Sequence, residues 1–281
     1  MDWFSLILIS VFAVSIYNIL QRVLMRDDKS DPVLYTILFA FFLSIAYSVV
    51  SLFLGFKLPV LSWTLVLFVL SALLWGFGTI FLFKALKVIE ASEVTILTSV
   101  RVIITILISV FFLREIFGFE KVLGAILILG SVMLVANIKK GFKFNSGTSY
   151  ALIVALFYGV AVSLDAIILK TYDVVSYLPI ANLLIFVLLL FCYPKAVKKW
   201  QVATDRSFLK KMLPLVFFSC TQAYAYYFAI QKAQVSQVST IGQTQVVVTV
   251  ILAAILLREK DNLLKKLIAS VLVFIGVLLV H

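Results

Sequence analysis

Arg101 stands about nine residues into an apolar stretch, 92–113, whose only other charge is Glu93 at its start. If that stretch spans a bilayer, a central charge costs at least about 2.5 to 3.5 kcal/mol on insertion scales, so the guanidinium needs a partner, a wet cavity or a task. The task it suits is binding: a permanently charged, planar set of donors selects a carboxylate or another anionic group. Thr95, Thr98, Arg101, Thr105 and Ser109 follow at steps of 3, 3, 4 and 4, which makes one polar stripe along a helix. A second stripe, Ser239, Gly242, Gln245, Thr249 and Ala253, has the same spacing, with Gln245 in the place of Arg101. Small and hydroxylated residues in such stripes either line a cavity or serve as interhelical packing and hydrogen bonding, and spacing alone leaves both open.

Other polar residues in apolar runs extend the candidate site. Ser219, Gln222 and Tyr226 share one helical face, and with Trp75, Tyr158 and Gln243 they would form a cavity wall of amides and aromatic rings. Asp165 falls seven residues after Tyr158, on the same face, roughly 8 Å off the centre of its helix. It is a candidate proton-coupling group, with a local ion pair toward Lys170 or a solvated cavity mouth as the structural alternative. Glu90 and Glu93 read as caps at a helix start, where carboxylates meet the positive end of the dipole. Catalysis is excluded by inventory: the single histidine is His281, and there is no HExxH pattern and no cysteine cluster. Cys192 and Cys220 have no metal-ligand spacing, and no cofactor or metal is expected.

The elements that position these residues follow from composition. Of 281 residues, 64% are apolar and 13% charged, and the mean hydropathy is +1.17, so a soluble globule is excluded. Apolar stretches bounded by charge, Gly or Pro predict helices near 3–25, 32–54, 61–83, 92–113, 119–138, 149–171, 176–193, 213–231, 236–257 and 263–280. The first run continues to Met25, too long for a signal-peptide core, so it is expected to remain as a span. A net charge of +11 would suit nucleic acid, but the basic residues sit in small clusters between spans, as loop anchors do. With ten spans, Lys57, Arg114, Lys121, Lys170 and Lys232 fall on the side of the termini. The rest of the 24 basic residues, Arg101 apart, fall on the other side, which the positive-inside rule makes cytoplasmic.

An offset of 144 positions lays Ala85, Ser92, Val94, Val102, Thr105, Leu113, Arg114 and Glu115 on Ala229, Ser236, Val238, Val246, Thr249, Leu257, Arg258 and Glu259. Gly124 and Gly130 find counterparts in Ser270 and Gly276 after a two-residue shift, and all four read as close-packing positions. The chain is thus a duplicated unit, and an odd number of spans per unit makes the copies inverted, a transporter signature. The segment from Ala85 through Leu113-Arg114-Glu115 to Gly130, with its second copy, resembles the repeat of the EamA-type branch of the drug/metabolite transporter superfamily. The proline that such repeats often carry in the fourth and ninth helices is Val102 and Val246 here. The resemblance implies a basket of ten helices around a central cavity and, commonly, an exporter or exchanger of small metabolites.

The expectation is therefore an all-α membrane protein with ten transmembrane helices, built as two inverted five-helix repeats, 1–140 and 149–281, around a central cavity. It would carry amino acids or organic anions by alternating access; a flippase for a lipid-linked anion and a channel are the alternatives. The expected setting is multi-pass in the inner cell membrane, as monomer or homodimer, with a small-molecule substrate and the bilayer as partners and no nucleic acid.

Overall fold

Residues with short polar side chains stand one position before several helices and take up the N–H groups that a helix start leaves unpaired. Asp2 accepts from Ser5 N at 3.2 Å, Asp31 from Val33 N at 3.1 Å, Asn145 from Thr148 N at 2.7 Å and Asp173 from Ser176 N at 3.0 Å. The computed structural model describes residues 2–27, 29–58, 64–113, 119–135, 145–232, 238 and 241–280. Among these residues there is no strand. The first half holds α1 (Trp3–Met25), α2 (Pro32–Leu54), α3 (Thr64–Val88), α4 (Ala91–Thr98), α5 (Arg101–Leu113) and α6 (Phe119–Val135). The second holds α7 (Ser146–Ile168), α8 (Val174–Cys192), a 3-10 helix (Pro194–Thr204), α9 (Arg206–Lys232), α10 (Thr244–Leu256) and α11 (Leu263–Val280).

Five of the described helices are long and apolar enough to cross a bilayer: α1, α2, α3, most of α7, and α8. Their surfaces are those of a chain dissolved in lipid. Phe53 and Phe191 are 86% and 87% exposed while Ser10, Ser15, Gln21 and Thr249 are buried, the reverse of a water-soluble protein. The expected bounds hold for α1, α2 and α11. The loop expected before 213 is instead the 3-10 helix followed by the first turns of α9. Trp200 secures it by packing on Phe41 and Phe186, with ring centroids 5.7 and 6.0 Å away.

The fourth run departs most from expectation. It is two helices rather than one, divided at Ser99 and Val100 by a tight turn in which Val102 N and Ile103 N bond three residues back, to Ser99 O at 3.0 Å and Val100 O at 2.9 Å. The ninth run has its own break: Ile241 and Gly242 are helical, Gln243 is a turn, and α10 begins at Thr244. Ser99 and Gln243 differ by the repeat offset, so both halves break at the same place. The cap of α4 also differs from expectation. Glu90 makes no side-chain cap bond; Glu259 from the other half accepts from Ala91 N and Ser92 N, while Glu90 and Glu93 turn to Lys266.

The halves interlock rather than sit side by side. α3 packs on α7 as α9 packs on α1, α5 packs on α7 as α10 packs on α1, and α2 meets α8 as α6 meets α11. Exchanging the halves maps this set of contacts onto itself. At the α6–α11 contact, a Cβ on Gly276 would lie 2.8 Å from Gly124 O and 2.9 Å from Ile128 Cγ1, so the two helices approach as close as a missing side chain allows. Gly130, expected at a close contact between the halves or between protomers, is exposed and meets nothing within 4 Å in this chain; six residues from Gly124, about one and two-thirds turns, it faces away from the α6–α11 contact. Gly276→Leu is therefore expected to destabilise the detergent-solubilised protein by about 1 to 3 kcal/mol, the range for overpacking. Gly130→Leu should leave the melting temperature unchanged, and fluorescence-detected melting compares the two.

Candidate functional site

Arg101 is the first residue of α5, immediately after the break, and is half-buried. The turn takes up Val102 N and Ile103 N, so what this helix start contributes is the partial positive charge of its dipole, and a guanidinium is added at the same point. The tyrosines of three other helices, Tyr17 on α1, Tyr158 on α7 and Tyr226 on α9, lie within its electrostatic reach. Among the described residues no carboxylate forms an ion pair with it. With no described carboxylate paired to it, the guanidinium keeps its capacity for an external anion.

Tyr158 is set by its neighbours. Its ring lies against Gly78, where a Cβ would come within 2.6 Å of Cε1, so only glycine admits it. Its hydroxyl shares a hydrogen bond with Thr79 Oγ1 at 3.0 Å, and its ring centroid is 4.4 Å from that of Trp75. Trp75 Nε1 then donates to Asp165 Oδ2 at 2.9 Å. Asp165 also accepts from Ser71 Oγ and from Tyr177 OH, the latter at 2.6 Å, and is 5% exposed. Neither structural alternative for it, pairing toward Lys170 nor a solvated mouth, matches this arrangement: Lys170 is exposed and Asp165 is enclosed by three neutral donors. Direct pairing with Arg101 is absent too. Asp165, Trp75 and Tyr158 instead form a sequence of contacts running from one end of α7 toward its middle, where Tyr158 lies within electrostatic reach of Arg101.

The remaining candidates divide. Thr105 Oγ1 bonds Arg101 O at 3.0 Å and Gly159 O at 3.3 Å, which joins α5 to α7. Thr98 and Thr95 bond carbonyls of their own helix, at 2.8 Å each, and stay half-buried. Gln222 and Gln245 are half-buried and meet α1 through their backbone: Ser10 Oγ donates to Gln222 O at 3.1 Å and Ser15 Oγ to Gln245 O at 3.4 Å. Gln243 occupies the second break and makes no side-chain cap bond. Tyr226 packs edge-on against Tyr227 at 5.7 Å. Ser239, and the side chain of Ser109, lie outside the described residues.

The polar face of α1 was missed. Gln21 Nε2 donates to Tyr17 OH at 2.7 Å, and Asn18 Nδ2 to Thr249 Oγ1 at 3.3 Å, so the polar face of α1 is bonded directly to α10. The signal was present as Ser15, Asn18 and Gln21 at steps of 3 within an apolar run. Ser71, four residues before Trp75, was a comparable signal for Asp165; nothing in the sequence linked Tyr177 to it. Among the described residues no group of His, Cys, Asp and Glu is placed to hold a metal.

Both halves of the chain match the EamA-like transporter family, over residues 1–137 and 145–281. Among solved structures 27 chains match. One of them, a crystal structure described simply as that of a protein, covers 99% of this chain and 94% of its own, with a TM-score of 0.66 at 16% identity, a likeness of fold. No curated protein sequence matches.

Proposed function

The chain belongs to the EamA-like transporter family, and from that premise we propose that it moves small anionic metabolites, amino acids and organic acids among them, by alternating access around Arg101. It is a multi-pass membrane transporter and not an enzyme. The observation that carries the finer reading is the pair of coincident breaks, one directly before Arg101 and one at Gln243. In transporters with internal repeats, substrate is held where spanning helices are interrupted near the midplane, and a half-helix N-terminus faces the anionic group. Arg101 would take the carboxylate, Gln245 would offer the neutral counterpart from the other half, and Tyr17, Tyr158 and Tyr226 would enclose the remainder of the solute.

Support for ten spans in two inverted halves comes from the contact pattern that survives exchange of the halves and from the family match to each half. Two nearly equivalent packings of such halves are what alternation requires. The charge bias places the termini outside the cytoplasm and makes the inner cell membrane the fitting location. Asp165 is assigned the coupling role, joined to the binding region through Trp75 and Tyr158.

Counterflow in proteoliposomes tests the reading. Vesicles preloaded in turn with amino acids and organic acids should accumulate the matching labelled solute, with saturation and with preference for anions over neutral isosteres. Accumulation of neutral or cationic solutes alone would overturn the anion assignment. Non-saturable flux of all small ions would replace the transporter by a channel.

A further inference from the structure

Five charged side chains, two of them buried, form a cluster at one end of the molecule, and each ion pair within it joins the two halves. Glu259 follows α10, where Arg258 adopts a left-handed backbone, φ 58°, uncommon for a residue with a side chain. The turn sends the Glu259 carboxylate back onto α4, where Oε1 accepts from Ala91 N at 3.1 Å and Oε2 from Ser92 N at 3.3 Å and Ser92 Oγ at 3.0 Å. Arg22 of α1 approaches the same carboxylate, Nε to Oε1 at 3.7 Å. A second tie runs the other way: Lys266 of α11 bonds Glu90 and lies 3.8 Å from Glu93. Glu259 is 6% exposed and Lys266 1%.

We propose that Glu259 is a positioning residue of the transport cycle, a latch that holds α4 against the second half and closes the pathway at this end. The proposal rests on the alternating-access reading. A carboxylate from one half that caps a helix of the other is tightly bound only while the halves are together, because parting them exposes both partners to water, which then satisfies each. α4 is an eight-residue helix with the latch at its first turn and the Ser99–Val100 break at its end. The break is a short 3-10 turn, a geometry suited to a hinge. Arg101 follows it directly. Glu259 makes three of the bonds at the start of α4, so its release, with parting of the Lys266 tie to Glu90 and Glu93, frees α4 to swing about that turn, and the same motion opens a route from this end toward Arg101.

The test uses the full chain in oriented proteoliposomes without substrate, so that it does not depend on which solute is carried. With Cys192 and Cys220 replaced by serine, Thr95→Cys places a thiol on α4 between the latch and Arg101. Glu259→Gln is expected to raise its modification by a membrane-impermeant maleimide from the latch end at least tenfold and to lower it from the opposite end. Glu259→Asp should restore most of the native pattern. Ser92→Ala, which deletes one donor and keeps the charge, should shift both rates in the same directions by a smaller factor, and it decides the matter if Glu259→Gln does not fold. A contact that only stabilises the fold would lower the melting temperature and leave the ratio of modification from the two ends unchanged. That unchanged ratio in folded protein overturns the latch.

Discussion

Arg101→Gln is expected to lower affinity for an anionic substrate by about ten- to a hundredfold, the loss that follows from removing one charge-assisted hydrogen bond worth about 1.5 to 3 kcal/mol. The replacement copies Gln245, which holds the equivalent place in the other half, so it keeps polarity while removing the charge. The native guanidinium has phenols around it and no carboxylate partner among the described residues. Its removal therefore leaves no buried anion stranded, and the variant should insert and fold normally. Neutral analogues of the same substrate should bind both proteins alike, which isolates the charge term from any change of shape. Equilibrium binding to purified protein, with melting temperature as the control for folding, reads the effect directly. Equal affinity of an anionic substrate for the two proteins would leave Arg101 a structural residue.

Much of the framework was legible in the sequence because it depends on period and length. The bounds of α1, α2 and α11 follow from uninterrupted apolar runs, Asp31-Pro32 opens α2, and the 144-residue offset exposes the duplication. The breaks were hidden for a physical reason. Ser99 and Gln243 are ordinary polar residues with no Gly or Pro at the broken position itself, and a hydroxyl or amide within a stripe looks the same whether the helix continues or turns. Comparison of the halves held the clue, since both candidates occupy one repeat position. Partners across helices were beyond reach: Asp165 was visible as a charge in a span, but its third donor, Tyr177, belongs to a helix whose neighbours only the fold decides. Glu259 was visible only as a repeat match to Glu115, which lies outside the described residues; its role as cap depends on the backbone turn at Arg258.

Asp165→Asn is expected to abolish the dependence of transport on a pH gradient while transport itself continues. The carboxylate is buried and accepts three hydrogen bonds, and among the described residues no cation pairs with it, so its described charge compensation comes from Ser71, Trp75 and Tyr177. Protonation is accommodated without moving the helices. Either the Ser71 or the Tyr177 hydroxyl can rotate to accept the hydrogen bond that a protonated Oδ1 donates, whereas Trp75 Nε1 can only donate and stays on Oδ2. A neutral acid is a weaker acceptor than a carboxylate, so a proton on Asp165 loosens Trp75, whose ring rests 4.4 Å from that of Tyr158 beside Arg101. The proton thereby acts on the binding region through two aromatic side chains, without contact between the charged groups. Asparagine is the closest uncharged mimic and holds the site permanently in the proton-bound form. A one-unit gradient supplies about 1.4 kcal/mol per proton, or roughly tenfold accumulation; the native protein should show this response in proteoliposomes and the variant should equilibrate its substrate and no more. A variant that still concentrates substrate against its gradient when a pH difference is imposed would return Asp165 to a structural bond between α3, α7 and α8, and coupling would have to be sought in another residue.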